Sequence, residues 1–251
     1  MPQFSDDLFL GTAQTYMGVN TNSNLGDPSP MDLGVGPLGR IYVWDTVPAT
    51  KATNNIATAQ TTSASITLTA GTGNSSVVLN NGSTVVQLDV PRAVSITSGT
   101  GTLTNRNVTI TGYDFYGQQM SEVIATGTVQ STTVNGKKAF FQILSATISG
   151  ALGATIAVGT TDILGCPVKI ADIGYLASIG WDGAVNDAGT AVAAVTTTAS
   201  TTTGDVRGTY VPSSATNGTK RLVVGVLLPA LAVGPNATRA GALGVNQNLA
   251  S

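Results

Sequence analysis

Apolar and polar residues alternate in short runs through the middle of the chain, with Gly, Asn, Pro and Asp gathered between the runs. Alternation with a period of two puts one face of an extended segment in a core and the other in water, so each run predicts a strand. The first is Arg40-Ile41-Tyr42-Val43-Trp44. Others follow at 65–69, 76–79, 84–90, 93–97, 107–112, 120–126, 139–149, 155–158, 168–170, 174–181, 191–197 and 220–228. Asn81-Gly82, Asn135-Gly136 and Asn217-Gly218 suit two-residue hairpins, in which both central residues need positive φ. Between the runs there is no 3.6-residue apolar period long enough for a helix, and no fixed-period repeat. The expectation is an all-β chain. Residues 41–228 would form a β-sandwich or barrel-like domain of short antiparallel strands, with room for two sub-sheets.

The alternation stops at both ends. Residues 1–40 read as an extended N-terminal arm. Phe4, Leu8, Phe9, Leu10 and Tyr16 supply a small apolar anchor, and Ser5-Asp6-Asp7 suits the start of a short helix. From Asn20 to Gly39 the Gly, Pro, Asn and Asp content excludes regular structure. An arm of this kind is expected to lie on its own domain or on a neighbouring subunit, with those five apolar residues as the assembly contacts. Residues 229–251, rich in Ala, Gly and Asn, read as a C-terminal arm. Residues 183–205 are low in complexity and are expected to form a long loop or an exposed hairpin.

Composition sharpens the β assignment. The chain has 38 Thr, 26 Val and 13 Ile against a single Glu, and residues branched at Cβ pack well on a pleated sheet while losing freedom in a helix. Charge changes the picture further. Only 10% of residues are charged, where soluble domains carry about 25%. The basic residues are scattered, Lys137-Lys138 and Lys220-Arg221 being the nearest to a run, so no patch exists that could displace counterions from phosphates. Nucleic acid is therefore not an expected partner. Neither is a membrane, since no apolar stretch reaches the length of a span. A surface of Thr, Ser, Asn and Gln suits a protein held in a large assembly, with a secreted or surface-layer protein as the alternative. One cysteine permits no disulfide within the chain. The N-terminus has neither a positively charged start nor an apolar run of signal length, so synthesis in a cytoplasm without export by that route is expected.

Candidate chemistry is sparse. Gly34-Val35-Gly36-Pro37-Leu38-Gly39 matches the spacing of a dinucleotide-binding turn, but that turn needs a strand before it and a helix after it. Here PSPMDL precedes and a strand follows, so the segment reads as an irregular connection. With no histidine, neither a Ser-His-Asp nor a Cys-His nucleophile can be assembled, and the commonest zinc ligand is missing. Cys166 stands before Pro167 in an apolar stretch and reads as a buried small hydrophobe. Glu122 lies in a strand, and the twelve Asp fall mostly at turns, where their side chains bond the local backbone. Asp182 to Asp187 carries three oxygen donors, but without the alternate spacing of a calcium loop. No enzyme, cofactor or metal site is expected. Five Asn-x-Ser/Thr sequons follow from the Thr and Asn content. Tyr42 and Trp44 alternate on one strand. Tyr113, Phe115 and Tyr116 crowd one turn, where they are expected to plug the end of a sandwich, with stacking on sugar rings as the alternative.

A collinear series of segments adds a family likeness. It runs Val90-Pro91-Arg92-Ala93-Val94, then Val108 to Gly117 (VTITGYDFYG), Met120-Ser121-Glu122, Lys138 to Ile143 (KAFFQI), Ala157 to Gly165 (AVGTTDILG) and Arg207 to Pro212 (RGTYVP). In this order the chain resembles a family of virion structural proteins of tailed bacteriophages, found as capsid decoration (cement) or head-associated proteins, over about Val85 to Leu228. The resemblance implies a β protein that works as a homo-oligomer, commonly a trimer. It would be bound through the major capsid protein to the exterior of the capsid and stabilise the shell against internal DNA pressure. A neck, tail or fibre protein binding host surface glycans is the alternative.

Overall fold

The computed structural model describes residues 40–170, 172–195 and 201–228. Phe4, Leu8, Phe9, Leu10 and Tyr16, the Gly34–Gly39 segment and the C-terminal arm lie outside the described residues. Fourteen strands follow one another: β1 (Arg40–Thr46), β2 (Ala57–Gln60), β3 (Ser65–Ile66), β4 (Ser75–Val78), β5 (Thr84–Ser98), β6 (Asn107–Tyr113), β7 (Gln119–Ala125), β8 (Thr133–Ile148), β9 (Ile156–Gly165), β10 (Leu176–Trp181), β11 (Ala184–Val185), β12 (Thr190–Val192), β13 (Thr209–Val211) and β14 (Leu222–Leu228). A single 3-10 turn at Ile173–Tyr175 is the one helical element among the described residues. The all-β expectation holds.

Every strand pair is antiparallel, and the strands form two sheets that curl into a half-barrel. The larger, ten-stranded sheet runs β12-β13-β9-β5-β8-β6-β7, with β2 on β9, β3 on β8 and β4 on β5; the smaller runs β1-β14-β10-β11. The spine of the larger sheet is the pair of long strands β5 and β8, of 15 and 16 residues. Their length departs from the short strands expected, because two breaks in the ladder sit inside them. Between Gln87↔Gln142 and Arg92↔Phe140, residues 88–91 of β5 face Phe141 alone. Pro91, which has no N–H to give, falls in that stretch, so the runs at 84–90 and 93–97 join as one bent strand. Between Ala93↔Ala139 and Ser95↔Asn135, residues 136–138 of β8 face Val94 alone. Asn135-Gly136 therefore lies in a bulge and closes no hairpin.

The other turn signals are also corrected in kind. Asn81-Gly82 does close the β4–β5 hairpin, but in a five-residue loop, 79–83. Gly82 donates to the Leu79 carbonyl at 2.8 Å and has φ +80°, where a Cβ would be strained. Asn217-Gly218 joins no hairpin; the Asn217 side chain accepts from the Thr219 and Lys220 amides at 3.0 and 2.8 Å. The two-residue turn with positive φ at both positions is Asp182-Gly183, between β10 and β11. It opens the stretch expected as loop or exposed hairpin, which also contributes β12.

Two cores result. The first fills the curl of the large sheet with Ile56, Leu88, Ile96, Val108, Ile110, Phe140, Ile143 and Val158, all at most 2% exposed. The second lies between the small sheet and the ends of β9 and β13, around Trp44, Leu164, Val168, Trp181, Tyr210 and Val224. Strand alternation assigns the faces: β6 buries Val108, Ile110 and Gly112, and β7 buries Met120, Glu122 and Ile124. Burying an Ile such as Ile110 contributes roughly 2–3 kcal/mol.

Close approach of backbones is the constraint at Gly159 in β9. A Cβ there would stand 2.0 Å from the Ala52 carbonyl oxygen and 2.4 Å from the Thr53 carbonyl carbon. The Ala52 carbonyl is itself held by the Thr160 amide at 2.8 Å. Gly159→Ala is thus expected to cost at least about 2 kcal/mol by overpacking, read as a lowered urea midpoint with an unchanged slope. A midpoint equal to wild type would show that the 51–54 segment does not lie across β9.

Candidate functional site

The lone glutamate sits on the inward face of β7. Between Met120 and Ile124 an apolar side chain would be expected, yet Glu122 is 2% exposed there. The bulge in β8 explains it. Three residues facing one leave backbone amides that the ladder cannot satisfy, and the Glu122 carboxylate accepts from the Lys137 amide at 2.5 Å and the Lys138 amide at 3.3 Å. Gly136 makes room, since a Cβ there would stand 2.6 Å from a Glu122 oxygen. Burial drives the Glu122 carboxyl up to about 7, against the opposing pull of the two amides and the Lys138 ammonium.

A second carboxylate bonds β8 at the residue that follows the bulge. Asp205, buried, accepts from the Ala139 amide at 2.9 Å and from the Arg207 amide at 2.7 Å. Burial raises its pKa despite those bonds. Lys138, 1% exposed, carries its ammonium in the field of Asp205 and Glu122, and burial lowers its pKa. The segment leading to Asp205 is tied on as well, the Val123 amide donating to the Thr201 carbonyl at 2.7 Å.

Arg207 extends the cluster to the molecular surface. Its Nη2 donates to Asp114 Oδ2 at 2.9 Å, with both side chains at most 5% exposed. The other Asp114 oxygen accepts from the Tyr116 and Gln118 amides at 2.9 and 2.8 Å, closing the turn that Gly117 completes at φ +76°. The guanidinium lies 4.5 Å from the Tyr116 ring centroid, a cation–π contact, and the Tyr116 hydroxyl donates to the Pro167 carbonyl at 2.6 Å. Burial, then the neighbouring Tyr42, raise the Tyr116 phenol. Phe115 packs edge-on against Tyr116 and Phe141 at centroid distances of 5.4 and 5.3 Å.

The turn aromatics therefore do not plug the end of a sandwich. Phe115 is 51% and Tyr116 46% exposed, and Tyr42 on β1 is 38% exposed. They form an aromatic surface patch, underpinned by a buried ion pair. Trp44, two residues further along β1 and on the same face as Tyr42, is buried in the second core.

The remaining candidates have structural partners. Cys166 is buried and its thiol is pushed far up by burial. Asp187 accepts from the Tyr210 hydroxyl at 2.6 Å and the Ser213 amide at 3.0 Å, and Asp182 occupies the β10–β11 turn. Sequence reasoning placed Asp114 correctly at its turn but missed Glu122, Lys138, Asp205 and Arg207 as one cluster. The Met120-Glu122-Ile124 alternation was the available signal for the first. Nothing local marks the others, which meet only through β8 and β13. No protein-family model, curated protein or solved structure matches this chain.

Two outcomes follow from the titrations. A carboxyl whose folded pKa is raised stabilises the fold most below its unfolded value near 4.5, and that contribution is lost as pH rises through about 7. Wild type should lose on the order of 3 kcal/mol between those limits through Glu122, and Glu122→Gln should flatten that slope in urea titrations at several pH values. An unchanged slope would assign it to other groups. Cys166 should resist Ellman's reagent in the native state and react fully in denaturant; immediate native labelling would contradict its burial.

Proposed function

We propose that this chain is a structural component of a tailed-bacteriophage capsid, a decoration protein that binds the outer coat lattice as a homo-oligomer. The observation that supports the reading best is the patch of Tyr42, Phe115 and Tyr116 on a chain with so little charge. Aromatic side chains are enriched and charges depleted at the centres of interfaces. The patch is also rigid. Tyr116 is held by Arg207 and Pro167, and the Asp114 turn is closed by its own carboxylate. A preformed surface loses little entropy on docking.

An edge adjoins the patch. Among the described residues β1 has β14 on one side and no strand on the other, and Val43 on it is 58% exposed. An uncovered edge with no lysine on it is a template for pairing, and a symmetric oligomer covers such edges. The mechanism is mechanical. A shell under pressure opens where coat subunits part, and an oligomer bridging those seams must detach first. About 800 Å² buried per partner makes one specific contact, and several contacts per oligomer multiply through effective concentration. The collinear likeness to phage virion proteins supports the same reading. In it, the arm with Phe4, Leu8, Phe9, Leu10 and Tyr16 contacts the coat or a neighbouring subunit.

The copy number of the chain relative to the major capsid protein in purified particles, by quantitative mass spectrometry, tests the role. A ratio comparable with the coat is expected. A few to a few dozen copies would place the chain in neck, tail or fibres and sink the cement mechanism. In solution, light scattering should give the mass of three chains, and the double variant Tyr42→Ser/Phe115→Ser should shift it toward one. An oligomer indifferent to both changes would remove the patch from the interface.

A further inference from the structure

The small sheet keeps one face apolar and open. Its inner face, with Trp44, Ile179, Trp181, Leu222, Val224 and Val226, packs into the second core. Alternation turns the residues between these outward. The ladder sets Val43, Gly225 and Ser178 in one row of the outer face, and Asp45, Val223, Gly180 and Val185 in the next. Val185 is 76%, Val43 58% and Val223 36% exposed. Charges meet at one end of the face and cancel there, where Arg221 Nε donates to Asp45 Oδ1 at 2.7 Å and Nη2 to Oδ2.

Gly225 gives this face a dip at its centre. It lies between Val224 and Val226 in β14, which has β1 on one side and β10 on the other. Its φ is not in the left-handed region, and a Cβ there would meet nothing within 4 Å. Gly180 would take a Cβ at ordinary contact distance, 3.4 Å from the Val223 carbonyl oxygen. The packing of the chain on itself therefore does not call for glycine at Gly225, although glycine inside a strand weakens it. Such a position marks close approach by something outside the sheet.

Size decides what can lie there. Strands about 4.8 Å apart and about 20 Å long give a four-stranded face of roughly 400 Å². That is half of what each partner buries in a standard complex, about 800 Å², so a second copy packed face to face on this surface alone would not hold. A tethered segment needs less area, because its local concentration is already high.

The N-terminal arm is such a segment. It joins the sheet at Arg40, the first residue of β1 on the sheet edge. Between residues 16 and 40 the chain is long enough to span up to about 80 Å, which reaches a neighbouring copy. Phe4, Leu8, Phe9 and Leu10 supply large apolar side chains for a dip walled by valines. Residues 1–39 carry four Asp and neither Lys nor Arg, a sign complementary to Arg221, whose side chain is 62% exposed despite its bond to Asp45.

We infer that the outer face of the small sheet receives residues 4–10 of a neighbouring copy, so that each copy of a closed oligomer gives one arm and takes one. The inference rests on the oligomer proposed above and names the surface its arms bind. That surface is on the opposite face of β1 from Tyr42 and the aromatic patch.

Cysteine cross-linking of the full chain tests it, because Cys166 is buried and leaves the introduced thiols as the reactive ones. A Leu8→Cys chain is co-expressed with a Ser178→Cys chain, oxidised and run unreduced. A disulfide-linked pair with one chain of each kind is expected, at several-fold higher yield than from either variant alone. Gly225→Val in the Ser178→Cys chain should cut that yield several-fold. Its melting temperature should stay at or above that of Ser178→Cys alone, since the added side chain meets no atom of its own chain. The inference is overturned if the mixed pair fails to form while light scattering gives three chains; the oligomer then stands without this contact. It is equally overturned if a Leu8→Cys/Ser178→Cys double variant closes only within single chains, or if Gly225→Val keeps full yield or melts several degrees lower. A light-scattering mass of one chain would remove the oligomer itself, and this contact with it.

Discussion

Backbone amides freed by a bulge inside an apolar curl must find acceptors, and the acceptors here are buried carboxylates. The three residues 136–138 facing Val94 push β8 out of register; Glu122 takes up the Lys137 and Lys138 amides, and Asp205 that of Ala139 beside them. An unmatched buried amide costs about as much as a lost hydrogen bond, and a buried charge costs more. Each therefore stabilises the other only while both are in place. The bulge sets where β8 can continue to pair with β5 and β6, and that pairing fixes the curl of the large sheet.

The same cluster joins the two cores. Asp205 and Arg207 precede β13, which pairs with β9 beside the second core, while Glu122 and Lys138 belong to strands of the first. Arg207 then reaches through Asp114 to the turn and places Tyr116 at the surface. A patch formed in this way is held both by the ion pair beneath Tyr116 and by Phe141 against Phe115. The exposed Tyr116 ring and the buried Asp114 carboxylate are thereby coupled through one guanidinium.

Local patterning determined the all-β class, most strand positions and the two-faced character of β6 and β7. These depend on neighbours two residues apart, and alternation records them directly. The Asp114–Gly117 turn was legible for the same reason: its bonds run over a few residues. The Asn-Gly pairs were legible as places for positive φ or irregularity, but not as hairpins. Asn135-Gly136 went into a bulge because Glu122, distant in sequence, supplies the acceptor that makes a bulge tolerable.

What only the tertiary structure decided is what meets across the sheet. Asp205 is 66 residues from Ala139 and Asp114 is 93 from Arg207; no periodicity carries information over such distances. The exposure of Phe115 and Tyr116 is of the same kind. Composition stated that charge would be scarce. Where the buried carboxylates Glu122 and Asp205 go was set by buried backbone amides that had no other partner, and that is a property of the curled sheet.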